Sequence, residues 1–331
     1  MEKSKLKKNK NNITIVFTGG TFSMEIDEKS GGAVPRYQAE ELLKKVPEAK
    51  ILANINVYEF GNIPSPHMTP KRMFELSKIV SNIAAKNDVD GIIITHGTDT
   101  LEETAYLLDL TINTKKPIVI IGAMKTSTES DWDGAKNMLD AIHIINCNNS
   151  RELGVLTCLN GEINAASEVT KTHTESVETF HSLDFGAIGF VDRGHVFFNR
   201  APRKLECIET ENINCNVDLI KTYSGMDEKF FKFSADSGVD GIVVEAMGIG
   251  NVPPKAFNGI KYARERGIPV VLVSRCPAGE TLDSYGYPGA GKWLKKEGVI
   301  FSEYLNGQKA RIKLILALGK TTDEKELSEM F

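Results

Sequence analysis

The sequence has no long apolar segment. Its first apolar run, Ile13 to Phe17, is short and ends at Thr18-Gly19-Gly20. A secretory signal needs a longer apolar core, and a membrane-spanning helix needs about 20 mostly apolar residues. We therefore expect neither an export signal nor a membrane span, and no membrane partner.

Cysteine is also scarce. The chain has five cysteines, an odd number, and they are scattered: Cys147, Cys158, Cys207, Cys215 and Cys276. The six histidines form no cluster with them at the spacing of metal ligands. This usage favours reduced thiols, which predicts a cytoplasmic protein. It also predicts that there is no metal site.

The chain carries no excess of positive charge. Its formal net charge is -4, which implies no general electrostatic affinity for nucleic acid or anionic membranes, and we expect neither as a partner. Basic residues are concentrated only near the start, as Lys3, Lys5, Lys7, Lys8 and Lys10. We expect residues 1–12 to form a basic, disordered tail.

A length of 331 residues is enough for two domains with cores of their own. Short β-branched apolar runs alternate with helical patterns, which predicts an α/β fold with a mostly parallel sheet covered on both faces. We predict a large N-terminal domain of flavodoxin-like or Rossmann-like type over residues 13–200. A linker over residues 201–218 and a smaller C-terminal α/β domain over residues 219–331 would follow.

The same patterns predict individual elements. In the N-terminal domain they indicate strands at 13–17, 56–60, 91–95, 117–121 and 154–159, helices after Thr69, after Thr100 and over 133–145, and a hairpin over 190–198. Residues 23–37 are polar and rich in glycine, which predicts an irregular lid. In the C-terminal domain we predict strands at 241–245 and 269–274, a helix over 254–266 and a final helix over 308–318.

The stretch from Gly91 to Glu103 organises the candidate site. It begins as a buried strand, breaks at His96-Gly97 and continues as a helix. Thr98 and Asp99 therefore lie where a parallel strand ends and a helix begins, which is the edge where open α/β sheets bind ligands. The alternative is that Asp99 merely caps the helix.

Thr98 and Asp99 are not alone, because several predicted strands end in polar side chains. The full set of residues at these strand ends is Thr21, Ser65, Thr98, Asp99 and Asn251. Such convergence is typical of a site for a small polar ligand. A threonine hydroxyl attacks only when a base takes its proton, and Lys171 is the candidate base. The alternatives are that Lys171 lies on the surface and that Thr21 only bonds its own turn.

Motifs for other chemistries are missing. There is no Gly-x-Ser-x-Gly nucleophile elbow, no Gly-x-Gly-x-x-Gly after the first strand and no Gly-x-x-x-x-Gly-Lys-Ser/Thr phosphate loop. A nucleotide-binding protein is therefore the weaker alternative, although Thr18 to Thr21 could cradle a phosphate.

Two segments resemble the paired signatures of bacterial-type L-asparaginases: Thr18-Gly19-Gly20-Thr21 and His96 to Thr104. Supporting matches follow in the family's order at Gly122-Ala123-Met124, Asp133-Gly134, 169–172 and 248–251. The resemblance implies hydrolysis of L-asparagine to L-aspartate and ammonia without a cofactor. It also implies a large N-terminal and a small C-terminal α/β domain, and a homotetramer built as a dimer of intimate dimers.

The resemblance implies two catalytic groups of residues. Thr21 matches the family's nucleophilic threonine on a mobile loop, which forms an acyl-enzyme intermediate. Thr98, Asp99 and Lys171 match its second catalytic set.

The resemblance further implies a set of substrate contacts. Ser65 and Asp99 match the residues that hold the substrate's α-carboxylate and α-amino groups. The backbone around Thr98 and Ala123 matches the groups around the scissile amide. Asn251 matches a residue that extends into the neighbouring subunit's site.

The chain departs from the family pattern at three places. The lid tyrosine has no counterpart near Gly32 or Ala33, and Pro66 stands where glutamine is frequent. The glutamate contributed by a partner subunit has no match near Tyr285-Gly286-Tyr287, and our hypothesis is that Tyr285 or Tyr287 takes over part of its role. The preference between asparagine and glutamine stays open.

Three alternative functions follow. One is a glutaminase-asparaginase with a broader substrate range, and another is a non-catalytic asparagine-binding sensor. The third is the amidase subunit of a tRNA-dependent amidotransferase. That subunit normally carries an additional N-terminal domain, for which residues 1–12 leave no room.

Overall fold

The computed structural model describes residues 10–20, 24–26, 31–35 and 38–331, and for 24–26 and 33–35 it describes the backbone alone. Thr21 and residues 1–9 of the predicted tail lie outside the described residues. The predicted tail extends too far, since Asn12 already begins the first strand. The chain divides into two compact units. The first comprises Met1–Ala105, Ile112–His181 and Ala187–Leu205, and the second comprises Tyr106–Thr111, Ser182–Gly186 and Glu206–Phe331.

The first unit contains twelve of the described strands and the first five helices. The strands are β1 (Asn12–Phe17), β2 (Met24–Ile26), β3 (Ala33–Pro35), β4 (Asn54–Glu59), β5 (Gly91–Thr95), β6 (Ile118–Ile121), β7 (Val155–Leu159), β8 (Glu162–Ala165), β9 (Thr170–Lys171), β10 (Phe180–His181), β11 (Gly189–Asp192) and β12 (His195–Phe198). The helices are α1 (Ala39–Lys44), α2 (Glu48–Leu52), α3 (Pro70–Ala84), α4 (Leu101–Thr111) and α5 (Gly134–Asn146). Two 3₁₀ turns lie at Ser65–His67 and Asn148–Ser150, and the last residues of α4 belong to the second unit.

An eight-stranded sheet forms the first unit, in the order β12-β11-β8-β7-β6-β5-β1-β4. Strands β4, β1, β5, β6 and β7 are parallel, whereas β8, β11 and β12 are added antiparallel. Numbered along the chain, the parallel strands have the order 2-1-3-4-5 of flavodoxin-like folds. The strand order therefore reverses between β1 and β5, which makes that gap the topological switch point. The predicted mostly parallel sheet is confirmed.

The central strands are buried on both faces because their side chains are apolar and mostly β-branched. Ile13, Ile15 and Phe17 project from β1 to the same face. There they belong to one core cluster with Leu42 of α1 and Ile142 of α5. Parallel pairing, with Phe17 opposite Thr95, holds the carboxyl ends of β1 and β5 side by side.

The second unit has a four-stranded parallel sheet in the order β13-β14-β15-β16. Its strands are β13 (Val217–Lys221), β14 (Gly241–Ala246), β15 (Val270–Ser274) and β16 (Ile300–Phe301). Its helices are α6 (Lys229–Asp236), α7 (Pro254–Arg264), α8 (Gly291–Lys296), α9 (Gly307–Lys320) and α10 (Glu324–Met330). Phe231, Ile260 and Leu294 from α6, α7 and α8 cover one face, and Leu314 and Ile315 of α9 cover the other. The predicted smaller C-terminal α/β domain is confirmed in its fold.

Most predicted elements are present, with small shifts in their bounds. Thr69 caps α3, since its hydroxyl accepts the Arg72 N–H at 3.4 Å, and residues 190–198 form the predicted hairpin as β11 and β12. The strand predicted at 56–60 is β4, which begins at Asn54.

Three predictions about elements are wrong. Residues 23–37 are not irregular throughout, because β2 and β3 pair antiparallel within them. The predicted linker is too long at its end, since β13 begins at Val217. The helix predicted to be the last is followed by α10, a polar helix of 7 residues in which Leu327 is the buried side chain. Three-residue strands and a short polar helix carry too little periodicity for sequence patterns to detect.

The helices of the described part of the chain are short. The 15-residue helix α3 is mainly polar on one face, and no helix within the described residues has both the length and the apolar character to cross a membrane.

Candidate active site

The two strands that flank the switch point both end in short polar turns. Residues 18–20 follow β1, and residues 96–100 follow β5. The Thr18 hydroxyl donates to the carbonyl oxygen of Thr95 at 2.7 Å and joins the two strand ends. Ligands of open α/β sheets bind at this position, outside the carboxyl ends of the strands.

Two glycines allow these turns to approach each other. A Cβ atom at Gly20, where φ is +78°, would overlap the backbone of Gly97, and a Cβ atom at Gly97 would lie 2.7 Å from the Oγ of Ser65. Side chains do not approach that closely, so glycine is required at both positions. Their contact brings the turns after β1, β4 and β5 together.

Lys171 joins two of the predicted site residues. Its Nζ donates to Thr98 Oγ1 at 3.0 Å and to Asp99 Oδ1 at 2.9 Å. Thr98 is buried, and the Lys171 side chain is 16% exposed, whereas the Asp99 side chain is 61% exposed. The amine and the hydroxyl are thus shielded, while the carboxylate borders solvent. These contacts favour a functional role for Asp99 and Lys171 over a helix cap and a surface lysine.

A small hairpin holds Lys171 in place. Lys171 in β9 pairs with Phe180 in β10. The Thr172 N–H donates to Thr179 O at 2.8 Å, and the Thr179 hydroxyl donates to His173 O at 2.6 Å. These bonds close the loop between the two strands, so the lysine extends from a fixed backbone.

Ser65 braces the turn that carries Thr98 and Asp99. Its Oγ accepts the Asp99 N–H at 3.3 Å, and its carbonyl oxygen accepts the Thr100 hydroxyl at 2.8 Å. Ser65 is buried in a 3₁₀ turn that follows Pro64. The sequence-predicted residues Ser65, Thr98, Asp99 and Lys171 therefore lie together.

Ala123 lies in a loop that is anchored beside Thr98. The preceding residue, Gly122, has little room for a side chain, because a Cβ atom there would lie 3.0 Å from the Thr98 Cγ2. Its carbonyl oxygen accepts the Asn137 side-chain N–H at 3.0 Å, and Asp133 accepts the Met124 N–H at 3.0 Å. These bonds fix the backbone on both sides of Ala123, whose role toward a substrate stays a prediction.

The side chain of His96, the first residue of this turn, is fully buried. Its Nδ1 lies 2.7 Å from Gly97 O, and its Nε2 lies 2.9 Å from Thr104 Oγ1. Burial lowers the pKa of His96 to about 4, although the bond to Gly97 O opposes that shift. The ring is therefore neutral at physiological pH.

An open depression of about 330 Å³ borders Lys171 and is lined by Asp99, Glu102, Lys171, Thr172, His173 and Thr174. The predicted nucleophile Thr21 lies outside the described residues, so its role stays a prediction.

Asn251 belongs to the second unit, where its backbone forms a bridge with Met247. Its predicted role stays a prediction, as does that of Tyr285 and Tyr287, which stack there with ring centroids 5.7 Å apart.

Sequence reasoning assigned no role to His96, Thr104, Asp133 and Asn137. All four lie inside or next to the segments that resemble the family's motifs, and this position is the one feature of the sequence that points to them. Their bonds to the turns after β5 and β6 identify them as the supports of Thr98 and Ala123. Within the described residues, no group of three histidine, cysteine or carboxylate side chains could hold a metal ion.

Comparison with known proteins gives concordant matches over both units. A family model described as "Asparaginase, N-terminal" matches residues 12–204, and one described as "Glutaminase/Asparaginase C-terminal domain" matches residues 216–331. L-asparaginase 2 of Escherichia coli is 35% identical over 97% of this chain and 92% of that relative. L-asparaginase 2 of Bacillus subtilis is 34% identical over 98% and 87%.

A solved structure matches equally fully. The crystal structure of a probable cytoplasmic L-asparaginase from Campylobacter jejuni has a TM-score of 0.87 and 34% identity, covering 97% of this chain and 99% of that one. The family models, the relatives and the switch-point site agree, and the chain belongs to the asparaginase family.

Proposed function

We propose that this chain is an amidohydrolase that converts L-asparagine to L-aspartate and ammonia without a cofactor. The observation that carries the proposal is the position of Lys171 Nζ, within hydrogen-bond distance of Thr98 Oγ1 and Asp99 Oδ1 at the switch point. Proteins named as L-asparaginases are 34–35% identical to this chain and match 97–98% of its length, which supports the proposal.

Thr98, Lys171 and Asp99 have the properties of a proton-transfer set. A lysine amine takes a proton from a hydroxyl or from water only in its neutral form, and a short, shielded hydrogen bond holds it on the oxygen concerned. Asp99 accepts from the same amine and orients it. Because Thr98 is buried and bonded to Lys171, the proposal makes Lys171, rather than bulk water, the proton-transfer partner of its hydroxyl.

In the proposed reaction, the Thr21 hydroxyl oxygen attacks the carbon of the substrate's side-chain amide. The tetrahedral intermediate then expels ammonia, which carries away the proton that Thr21 lost, and leaves an ester between Thr21 and the aspartyl group. A water molecule, deprotonated through Thr98 and Lys171, attacks that ester. Aspartate leaves, and the proton returns to the Thr21 oxygen.

The substrate contacts are assigned by position. Ser65 and Asp99 would hold the α-carboxylate and the α-amino group, and Asn251 would act at a neighbouring subunit's site. The backbone near Thr98 and Ala123 is anchored by side chains on both sides. Such fixed N–H groups stabilise a developing oxyanion without rearrangement during the reaction.

The direct test is steady-state ammonia release by the full chain from L-asparagine, D-asparagine and L-glutamine. The proposal expects L-asparagine to give the highest kcat/KM. Equal kcat/KM for L-glutamine would replace it with a glutaminase-asparaginase. Binding of L-asparagine without ammonia release would replace it with a sensor.

Assembly and location belong to the same proposal. We expect a homotetramer, which light scattering on the purified protein would detect as four times the mass of 36.5 kDa per chain. We expect a cytoplasmic location, which the unbridged state of the five cysteines supports. Cell fractionation tests it, and recovery outside the cytoplasm would refute it.

A further inference from the structure

His96 and Thr104 stand at the two ends of the same sequence signature, and neither has a part in the proposed reaction. In the structure these two residues are in contact, because α4 turns Thr104 back onto the strand end. Thr104 Oγ1 lies 2.9 Å from His96 Nε2, and both side chains are fully buried. A buried polar pair of this kind is retained only where its hydrogen bonds are satisfied.

The two ring nitrogens have distinct partners, and these fix the tautomer. Gly97 O can only accept, so His96 Nδ1 carries the proton and donates to it at 2.7 Å. Nε2 then has a lone pair, and the Thr104 hydroxyl donates to it. The reduced basicity of the buried ring agrees with this neutral form. His96 therefore connects the Gly97 carbonyl to the first turns of α4 through one rigid ring.

The Gly97 carbonyl belongs to the peptide bond that carries the Thr98 N–H. Because a peptide unit is planar, holding the carbonyl oxygen also sets the direction of that N–H. Gly97 has no side chain of its own to fix this plane, and a Cβ atom there would lie 2.7 Å from Ser65. The His96 ring and Ser65 thus restrict the turn on which the bond from Lys171 Nζ to Thr98 Oγ1 depends.

We propose that His96 is a positioning residue for the reaction, which orients the Gly97–Thr98 peptide and is itself oriented by the Thr104 hydroxyl. The inference rests on the proposed function of Thr98. His96 touches neither substrate nor reacting atoms in this account. It keeps the Thr98 N–H and hydroxyl aligned for the transition state, so its loss lowers kcat more than it changes KM.

The test uses Thr104, because replacing the buried ring of His96 also leaves a cavity beside the turn and so changes packing together with hydrogen bonding. Thr104→Val deletes the hydroxyl with little change of shape, and Thr104→Ser keeps it. Thr111→Val is the matched control, since it removes a threonine hydroxyl from the same helix that bonds only to the backbone of Leu107 and Leu108. For each full-length variant, kcat, KM, melting temperature and amide hydrogen exchange over residues 97–100 are measured.

We expect Thr104→Val to lower kcat about tenfold with KM changed less than about twofold, as the loss of one aligning hydrogen bond predicts. Thr104→Ser should restore kcat, and Thr111→Val should leave it unchanged. Exchange at 97–100 should be faster in Thr104→Val alone.

A wild-type kcat in Thr104→Val, with only the melting temperature lowered, would reduce the pair to a structural role and overturn the inference. A failure of the proposed function is distinguishable from this result. In that case the wild-type chain itself releases no ammonia from L-asparagine. The exchange comparison then still decides whether the His96–Thr104 pair holds the turn, and unchanged exchange in Thr104→Val refutes that.

Discussion

Strands β5 and β14, one in each unit, are preceded by Val-Asp and begin with Gly-Ile, so both units share the sequence Val-Asp-Gly-Ile at the strand start. Asp90 donates its N–H to Asn12 O at 2.8 Å, and Asp240 donates its N–H to Asn216 O at 2.8 Å. Each aspartate side chain also accepts from that asparagine: Asp90 from the backbone N–H of Asn12 at 2.8 Å, and Asp240 from the side-chain N–H of Asn216 at 3.1 Å. The shared residues therefore perform the same structural task, which is to start a central parallel strand.

The glycine of each strand start also serves the same purpose. A Cβ atom at Gly91 would overlap the side chain of Ile145 in α5, and one at Gly241 would lie 2.9 Å from Leu314 Cδ2 in α9. In both units the missing side chain lets a helix pack closely over the strand.

The two strands differ at their other ends. β5 ends in the turn that carries Thr98 and Asp99, whereas β14 ends in a loop closed by the bridge between Met247 and Asn251. Strand order explains why. The strands around β5 reverse their order at β1, while β13 to β16 follow one another in chain order. A crevice for a ligand forms where the order reverses, so the candidate site lies in the first sheet although both strands start alike.

The largest expected effect is at the end of β5. Thr98→Val should lower kcat about a thousandfold, because a coupled catalytic set loses most of its activity with one member. Ammonia release from L-asparagine measures it. Thr111→Val serves as the control, since its hydroxyl bonds only to the backbone of Leu107 and Leu108. Near-normal turnover by Thr98→Val would break the comparison between the two strands.

A second prediction concerns stability and pH. Unfolded histidine has a pKa of about 6.5, whereas burial lowers the pKa of His96 to about 4. Between these values the unfolded chain binds a proton that the folded chain does not, so stability rises with pH. This contribution is complete above pH 6.5 and is lost as the pH falls toward 4. It amounts to about 3 kcal/mol.

Urea unfolding at several pH values between 4 and 7 tests this prediction. His96→Asn should flatten the pH dependence of the free energy of unfolding. His195→Asn, which changes an exposed histidine, is the control. An equal slope in wild type and His96→Asn would show that the ring is not buried in neutral form.

The third prediction compares the two strand starts. Gly91→Ala should destabilise the protein by about 1–3 kcal/mol, as overpacking of a core does. Gly241→Ala should cost less, because the nearest atom is the end of a leucine side chain that can move. Denaturant unfolding measures both. A larger loss for Gly241→Ala would mean that the two strand starts are not packed as described.

The smallest expected effect is at the end of β14. Asn251→Ala should raise KM less than about tenfold and leave kcat within about threefold, since loss of a single uncharged hydrogen bond costs about 1 kcal/mol. Steady-state kinetics with L-asparagine measures both constants. A loss of kcat as large as that of Thr98→Val would place Asn251 in the chemistry itself.

Sequence patterns were informative where a strand is long and its end is marked. The run from Gly91 to Thr95 predicts a strand, and the break at His96-Gly97 places Thr98 and Asp99 at its end, as observed. The grouping of Ser65 with Thr98 and Lys171 followed from the resemblance and from the parallel strand order.

Other features depend on packing that sequence patterns do not encode. The contact between His96 and Thr104 requires the angle between β5 and α4, and the bond from Asp133 to Met124 N crosses a loop. The β2–β3 pairing is too short to leave a periodic pattern.

The central claim is that Thr98 and Lys171 act as one proton-transfer unit at the switch point. A double-mutant cycle on kcat with Thr98→Val, Lys171→Met and the double variant tests it most directly. The account predicts that the double variant loses about as much activity as either single variant, roughly a thousandfold. Losses that multiply to about a millionfold would show that the two residues act independently and would contradict it.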